Sequence, residues 1–349
     1  SQPVLEVRRD VQGKLWVAGA PVGEYSLDST KGLKNWIAGQ RQILVRNATI
    51  NWTDEYQKRP TTEIKNANLR IDNYEGVHEL SLSGNPSPSL AESLILRASF
   101  KSADRKNFSM KDGVIFLELK SSRINQIINA YYPDMIMPLR VKQGFGDLKF
   151  WGRFGSTEIN ELTVDLALSD VKIESGNGSK ELVLDRLEGV LNWNNGADQV
   201  VVKGHNILLD DGGKLSQNPI NFKFTRVAVH QSTNYELELG NMDMGAFLPL
   251  VRESGVYREL PQVVMNKGTS AKTFDTSVFW TRKADNYSIS KFTSGFKDLT
   301  LDADNKNITI SGADGRIDMT KDRGAIVLES SDVTILNNPV LANRLVFDD

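Results

Sequence analysis

Three histidines, His78, His205 and His230, are the first places to look for acid–base or metal chemistry. Each stands in or beside a strand-like run, with no second histidine at ligand spacing. Metal sites and general-base pairs need convergent ligands, so all three read as ordinary strand histidines. There is no cysteine, which excludes disulfides, thiolate metal sites and cysteine nucleophiles. No G-x-S-x-G elbow, phosphate-binding loop, dinucleotide fingerprint or H-E-x-x-H pair occurs. Gly144-Phe145-Gly146 is a lone G-x-G and reads as a turn or bulge. Asp54-Glu55 and Asp210-Asp211 lie beside turn residues and read as solvated charges, with calcium binding as the lesser alternative. Acidic residues are common enough that a glycosidase-like carboxylate pair stays open. Asn-x-Ser/Thr triplets such as Asn47-Ala48-Thr49 fall partly inside strands and read as chance. The expectation is a protein that is not an enzyme, with no catalytic residue, metal or cofactor.

The tryptophans carry more information. Trp52, Trp193 and Trp280 each end an alternating run (TINWTD, GVLNWNN, SVFWTRK). An indole there can sit at the rim of an apolar surface with its N–H toward water, or serve as a plain core or edge aromatic.

The elements that must position these residues are strands. Period-2 alternation dominates the chain. Leu162, Val164, Leu166 and Leu168 alternate with polar or small residues, as do Leu80 and Leu82, Phe222 and Phe224, and Leu237 and Leu239. There are about eighteen such runs, separated by Gly, Asn, Asp or Pro turns. Short turns make sequential strands antiparallel neighbours, with one apolar and one polar face. The apolar phase is ambiguous in 114–119 and 200–202, where both faces carry apolar residues. Helical spacing interrupts the pattern three times. It predicts about three short amphipathic helices, at Leu33–Ile37, at Ile124–Tyr131 with Ser122 as N-cap and Pro133 as stop, and at Met244–Val251 with Asp243 as N-cap.

One pattern recurs without a gap. Residues 189–209 (GVLNWNNGADQVVVKGHNILL) match 315–335 (GRIDMTKDRGAIVLESSDVTI) in the placing of glycine and apolar residues. Gly189 meets Gly315, Leu191 meets Ile317, Trp193 meets Met319, and Ile207 meets Val333. Identity is low, so what is kept is a shape, and units of this kind stack into extended repeats.

Composition excludes some classes. With 349 residues, 40% hydrophobic and 25% charged, the chain is an ordinary folded one. A net charge of -2 gives no electrostatic case for nucleic acid. No run of apolar residues is long enough to span a bilayer, and the opening on Ser1 reads as a piece of a longer protein. No segment reads as a linker. The expectation is one continuous repeating section over 1–349, with tentative sub-units 1–121, 122–241 and 242–349.

Several stretches resemble the AsmA-like superfamily, and within it the YhdP-type proteins of Gram-negative bacteria. They are RRDVQGKLWVAG at 8–19, ILVRNATINWTDE at 43–55, IKNANLRIDN at 64–73, HELSLSG at 78–84, GFGDLKFWGRF at 144–154, INELTVDLALSDVKI at 159–173 and LDRLEGVLNW at 184–193. The phrase apolar–x–Asn/Asp–x–apolar–x–apolar recurs in NANLRI, SDVKI and GFKDLTL. The resemblance implies a bridge-like lipid transfer protein. It would be tethered to the inner membrane by an N-terminal segment outside this chain, would lie in the periplasm, and would conduct phospholipids toward the outer membrane along a curved antiparallel β-sheet forming an elongated U-shaped groove with an apolar floor. The family brings no catalytic residues.

The balance of strands and helices leads to the same picture. Three short helices cannot cover the apolar side of so many strands, and a large exposed apolar face marks a binding function. Phospholipid acyl chains would lie on Ile50, Trp52, Leu69, Ile71, Leu80, Leu82, Leu94, Leu96, Phe150, Leu162, Val164, Leu166, Leu168, Leu191, Trp193, Phe222, Phe224, Leu237, Leu239, Val278, Trp280 and Ile317. Two alternatives stand beside it. One is a non-conducting β-repeat scaffold for outer-membrane assembly, with a filled interior. The other is a carbohydrate-active protein, with paired carboxylates flanked by exposed aromatics on one face.

Overall fold

The computed structural model describes residues 3–22, 37, 39–104, 107–131, 139–155, 158–175, 181–212, 219–245, 270–284, 286–303, 308–330, 333–337 and 345–347. Twenty-one strands, all of one hydrogen-bonded sheet, account for most of them. In chain order they are β1 (Val4–Arg9), β2 (Leu15–Val17), β3 (Ala20–Val22), β4 (Gln42–Asp54), β5 (Thr62–Tyr74), β6 (Val77–Pro86), β7 (Ser93–Asp104), β8 (Asn107–Arg123), β9 (Leu139–Gly155), β10 (Glu158–Ser175), β11 (Glu181–Asn195), β12 (Gln199–Asp210), β13 (Ile220–Val229), β14 (Ser232–Leu239), β15 (Met242–Asp243), β16 (Ser270–Lys283), β17 (Asn286–Ala303), β18 (Ile308–Thr320), β19 (Gly324–Leu328), β20 (Val333–Asn337) and β21 (Leu345–Phe347). The chain divides into two compact units, Ser1–Ile136 with Gln143–Ser169, and Met137–Lys142 with Asp170–Asp349.

Three expectations need correction. Among the described residues there is one complete short helix rather than about three, α1 (Ile124–Tyr131). The other two fall mostly outside the described residues, with Ile37, Gly39, Met244 and Gly245 helical at their margins. Ser122 is not the cap of α1. It belongs to β8, is fully buried, and its hydroxyl donates to the Gly146 carbonyl at 2.7 Å. The sheet is also not wholly antiparallel, because β1 runs parallel to β4, from Val4↔Thr49 to Arg9↔Asp54.

Tight turns set the strand order. Tyr74 pairs with Val77 across Glu75 and Gly76, both at positive φ, the two-residue turn whose twist matches that of a hairpin. His230 is the first residue of a similar turn between Val229 and Ser232, with φ 49°. The hairpin at the start of the chain is organised by Asp10. Its carboxylate accepts from the backbone N–H of Gln12 and Lys14 and from the Trp16 indole N–H at 2.7 Å. The Trp16 bond, followed by the backbone bonds, holds the Asp10 carboxyl below the usual carboxylate range.

The recurring Asn/Asp phrase marks bulges. Asn66, Asp170 and Asp298 all have φ between 50° and 53°, as do Asn47 and Asn206 within a degree or so. Asn and Asp tolerate this left-handed conformation better than other side chains. A bulge removes one N–H from the ladder, and here the neighbouring strand supplies a side-chain acceptor. Asn68 Oδ1 accepts from the N–H of Asn47, Asp147 Oδ1 from Ser121, Asn221 Oδ1 from Asn206, and Asp314 Oδ1 from Asp298, at 2.8–3.2 Å. The residue after the bulge is pressed inward: Ala48, Ala67, Ser122, Val171, Ile207, Thr276 and Ala313 are all buried. The two cores grow from these positions. Ile50, Ile64 and Ala67 pack in the first unit, and Ala271, Phe296, Ala313 and Val333 in the second.

Gly144-Phe145-Gly146 lies within β9, where Phe145 and Gly146 pair with Arg123 and Ser122 beside the bulge of β8. Gly146 has φ 153°, and a Cβ there would lie 2.1 Å from the Ala167 carbonyl oxygen, so the close backbone approach requires glycine. The internal repeat is kept with a shift. The first hairpin closes with Gly196 N–H donating to Gln199 O, and the second with Thr320 N–H donating to Arg323 O, two residues earlier in the aligned pattern. An even shift leaves every side chain on its own face. Ile207 and Val333 are buried in both copies.

His78 is 2% exposed on β6, between Asn73 on β5 and Phe100 on β7. The Asn73 amide nitrogen donates to the carbonyls of Ile37 and Gln40, which turns its oxygen toward His78 Nδ1 at 2.6 Å. Burial pushes the His78 pKa down.

Two outcomes are expected. Asp314→Ala leaves the Asp298 N–H without its acceptor and lowers stability in urea unfolding by about 1–2 kcal/mol, whereas Asp318→Ala, exposed on the same strand, changes it by less than about 0.5 kcal/mol. A depressed histidine pKa means that the unfolded chain binds the extra proton. Stability is therefore fully present above about pH 6.5 and falls as pH drops toward the folded-state value. The parent's melting temperature should fall more between pH 7.5 and 5 than that of His78→Gln; equal slopes would refute the assignment.

Candidate apolar binding face

Unbroken register lines up one residue per strand on a common face. In the first unit Val45, Leu69, Leu82, Leu96, Leu117 and Phe150 are successive partners from β4 to β9. The adjoining row is Ile43, Ile71, Leu80, Ala98, Ile115 and Gly152. A third joins Leu94 to Leu119 and Leu148. In the second unit Trp193, Val202, Phe224, Leu237, Val278, Phe292 and Met319 are successive partners across seven strands, β11–β14 and β16–β18. Leu191, Gly204, Phe222 and Leu239 form the next row and lead to Thr276, whose hydroxyl bonds Ser294 at 2.8 Å. Trp280 stacks on Tyr235 at 5.2 Å beside Phe224.

Burial separates these residues into two kinds. Ile50, Leu166 and Leu168 are buried, so other protein atoms already cover them. Ile317 packs against the second core. By contrast Leu69, Ile71, Leu80, Leu82, Leu94, Leu96 and Phe150 are only half-buried, as are Trp52, Leu162, Val164, Leu191, Trp193, Phe222, Phe224, Leu237, Leu239, Val278 and Trp280. Met319, at the end of its row, is 48% exposed. Side chains of this kind are normally covered by a second layer, and full burial of each would contribute roughly 1 kcal/mol more.

Register also resolves the ambiguous runs. Ile115, Leu117 and Leu119 share the apolar face, and Val114 and Phe116 take the other. Val200 and Val202 join the apolar rows, and Val201 lies opposite Thr225 on the polar face. Pattern reading missed Ile43, Val45, Leu117, Val202, Phe292 and Met319. Each alternates with neighbours of the right phase, but only the partner strand shows which phase matters.

The reverse face is polar and cross-linked. Lys223 pairs with Glu238 at 2.6 Å, which favours the charged form of Lys223, and Arg70 pairs with Asp72 at 2.5 Å, where each favours the charged form of the other. On this face the first unit holds a hollow of about 710 Å3. Its lining brings Arg70, Ser81, Arg97, Phe116 and Trp151 together from successive strands.

Among the described residues, no cluster of His, Asp and Glu could hold a metal ion. His205 and His230 are exposed, and neither meets another histidine. Asp210 accepts from the Gly212 N–H as a turn residue should. Asp54 departs from the solvated reading. It is 2% exposed, 3.8 Å from Arg9, and accepts from the Gln57 N–H. None of the described helices is long and apolar enough to cross a membrane.

No curated protein and no solved structure matches the chain. A family model described as YhdP protein matches residues 1–349, the whole sequence. The bulge residues Asn47, Asn66 and Asp170 fall within stretches that carry the resemblance, and the chain belongs to the YhdP family.

Proposed function

We propose that this chain is a periplasmic section of an inner-membrane-tethered AsmA-like protein that conducts phospholipids between inner and outer membrane on its apolar sheet face. The observation that carries this is the set of half-buried apolar rows, six strands wide in one unit and seven in the other. An acyl chain laid along a row replaces water over Leu, Phe and Trp side chains, and the gain scales with the area covered. Headgroups stay in water.

The rows repeat one chemistry from strand to strand, so neighbouring positions hold a chain about equally well and it can slide. No proton transfer, covalent step or cofactor is called for, and the protein acts without enzymatic activity. The non-conducting scaffold is the competing outcome, in which another protein layer covers the rows.

Mass spectrometry of lipids that co-purify with the periplasmically expressed chain tests the reading. Phospholipid should be bound to the parent. It should fall about tenfold in Leu82→Asp/Leu117→Asp and in Phe224→Asp/Leu237→Asp, while Ser81→Asp, on the polar face, retains it. Circular dichroism confirms that the variants fold. A folded, lipid-free parent, or variants that keep their lipid, would refute conduction on these rows.

A further inference from the structure

The hollow on the polar face of the first unit is bordered by Leu80, Ala98, Ile115 and Gly152 of an apolar row, but Arg70, Arg97, Phe116 and Trp151 in its lining belong to the opposite phase, which has no place in the lipid handling proposed above. Phe116 and Trp151 are direct cross-strand partners there, with rings 5.4 Å apart and inclined at 46°. Trp151 is 42% exposed. A tryptophan left in water on a polar face, beside a second aromatic, forms an apolar corner with no core to join.

Charged groups surround that corner. Arg70 is taken up by Asp72, and Arg153 faces Glu161 at 3.3 Å. Arg97, cross-strand partner of Phe116, forms no ion pair among the described residues, and neither does Glu79. The lining therefore offers an unpaired five-donor guanidinium at Arg97 and, at Glu79, a carboxylate that forms no ion pair within 4 Å but favours the charged form of nearby Arg70, with three arginines balanced by three acids. Its volume of about 710 Å3 lies within the ~300–1,000 Å3 usual for small-molecule sites.

We propose that this hollow binds a neutral saccharide of a few sugar rings. A sugar ring presents a C–H face that stacks on an aromatic ring, and its rim of hydroxyls both donates and accepts. Trp151 and Phe116 supply the platform, Arg97 donates to hydroxyl and ring oxygens, and Glu79 accepts hydroxyl protons. Polyanions are disfavoured by Asp72, Glu79 and Glu161, and an acyl chain would strand the charged lining. The site binds and does not cleave.

Titration of the isotope-labelled chain with maltotriose, cellotriose or triacetylchitotriose, followed by NMR, tests this. Loss of a peak in Trp151→Phe assigns the Trp151 indole N–H. The expected result is a saturable shift of that peak by at least one trisaccharide. Binding should weaken about tenfold in Arg97→Gln and in Glu79→Gln, with the remaining amide peaks in place. The proposal is overturned if no trisaccharide shifts the peak, if the shifts centre on Trp52, Trp193 or Trp280, if only an acidic oligosaccharide or an acidic peptide binds, or if both glutamine variants bind as the parent does.

Discussion

Strand register decides which side chains of this sheet meet one another and which meet water. Side chains alternate between faces, so a one-residue slip in any pair would exchange the apolar and polar sets of that strand. Val45 reaches Phe150 through four intermediaries only because β4 to β9 keep phase across every junction. Where the ladder does break, it does so at bulges, at Val45/Ala48, Leu119/Ser122, Gly204/Ile207 and Phe296/Leu299 among others. Each of these four breaks is stabilised rather than merely tolerated, because the freed N–H finds an Asn or Asp oxygen on the next strand.

This arrangement divides the labour within each strand. Residues just past the bulge, such as Ala48, Ala67 and Ala313, are fully enclosed and supply the packed interior. Residues on the far side of the bulge are half-covered and supply the apolar rows. Stability therefore rests on the buried side chains gathered around these positions, Ile50, Ala67, Phe296 and Ala313 among them, on ladder hydrogen bonds and on turn chemistry such as that of Asp10. Exposed ion pairs on the polar face, Lys272 with Asp298 for example, add little. A sheet built this way can keep a broad apolar surface without relying on that surface to fold.

Much of this was legible in the sequence. Alternating runs, turn residues and the recurrence of 189–209 at 315–335 reveal the strands, and soft motifs such as NANLRI reveal the family. What the motif residues do was not legible: Asn66 and Asp298 stand out by repetition, but their left-handed backbone and their acceptors on neighbouring strands are tertiary facts. Phase was illegible wherever both faces are apolar, since Ile115 and Phe116 differ only in their partners. Ser122 has the composition of a helix cap, yet strand pairing with β9 overrides that local preference. Asp54 looked like any turn acid until Arg9 arrived from a parallel strand. The hollow on the polar face escaped notice because its residues come from six strands with no motif spacing. The one available signal was that Phe116 and Trp151 fall out of phase with the aliphatic residues around them.

The bulge clamps bear on how such a chain can lengthen during evolution. An N–H freed on one strand is satisfied from the strand that follows it, as Asn47 is by Asn68 and Asp298 by Asp314. Adding or removing a single strand would leave a backbone donor at the seam without its side-chain acceptor and would also reverse the direction of everything downstream. Adding a hairpin carries donor and acceptor together and preserves direction. Duplication by pairs is therefore the step that leaves no unsatisfied seam, and apolar rows can be widened two strands at a time while the sequence between the fixed Asn, Asp and Gly positions drifts.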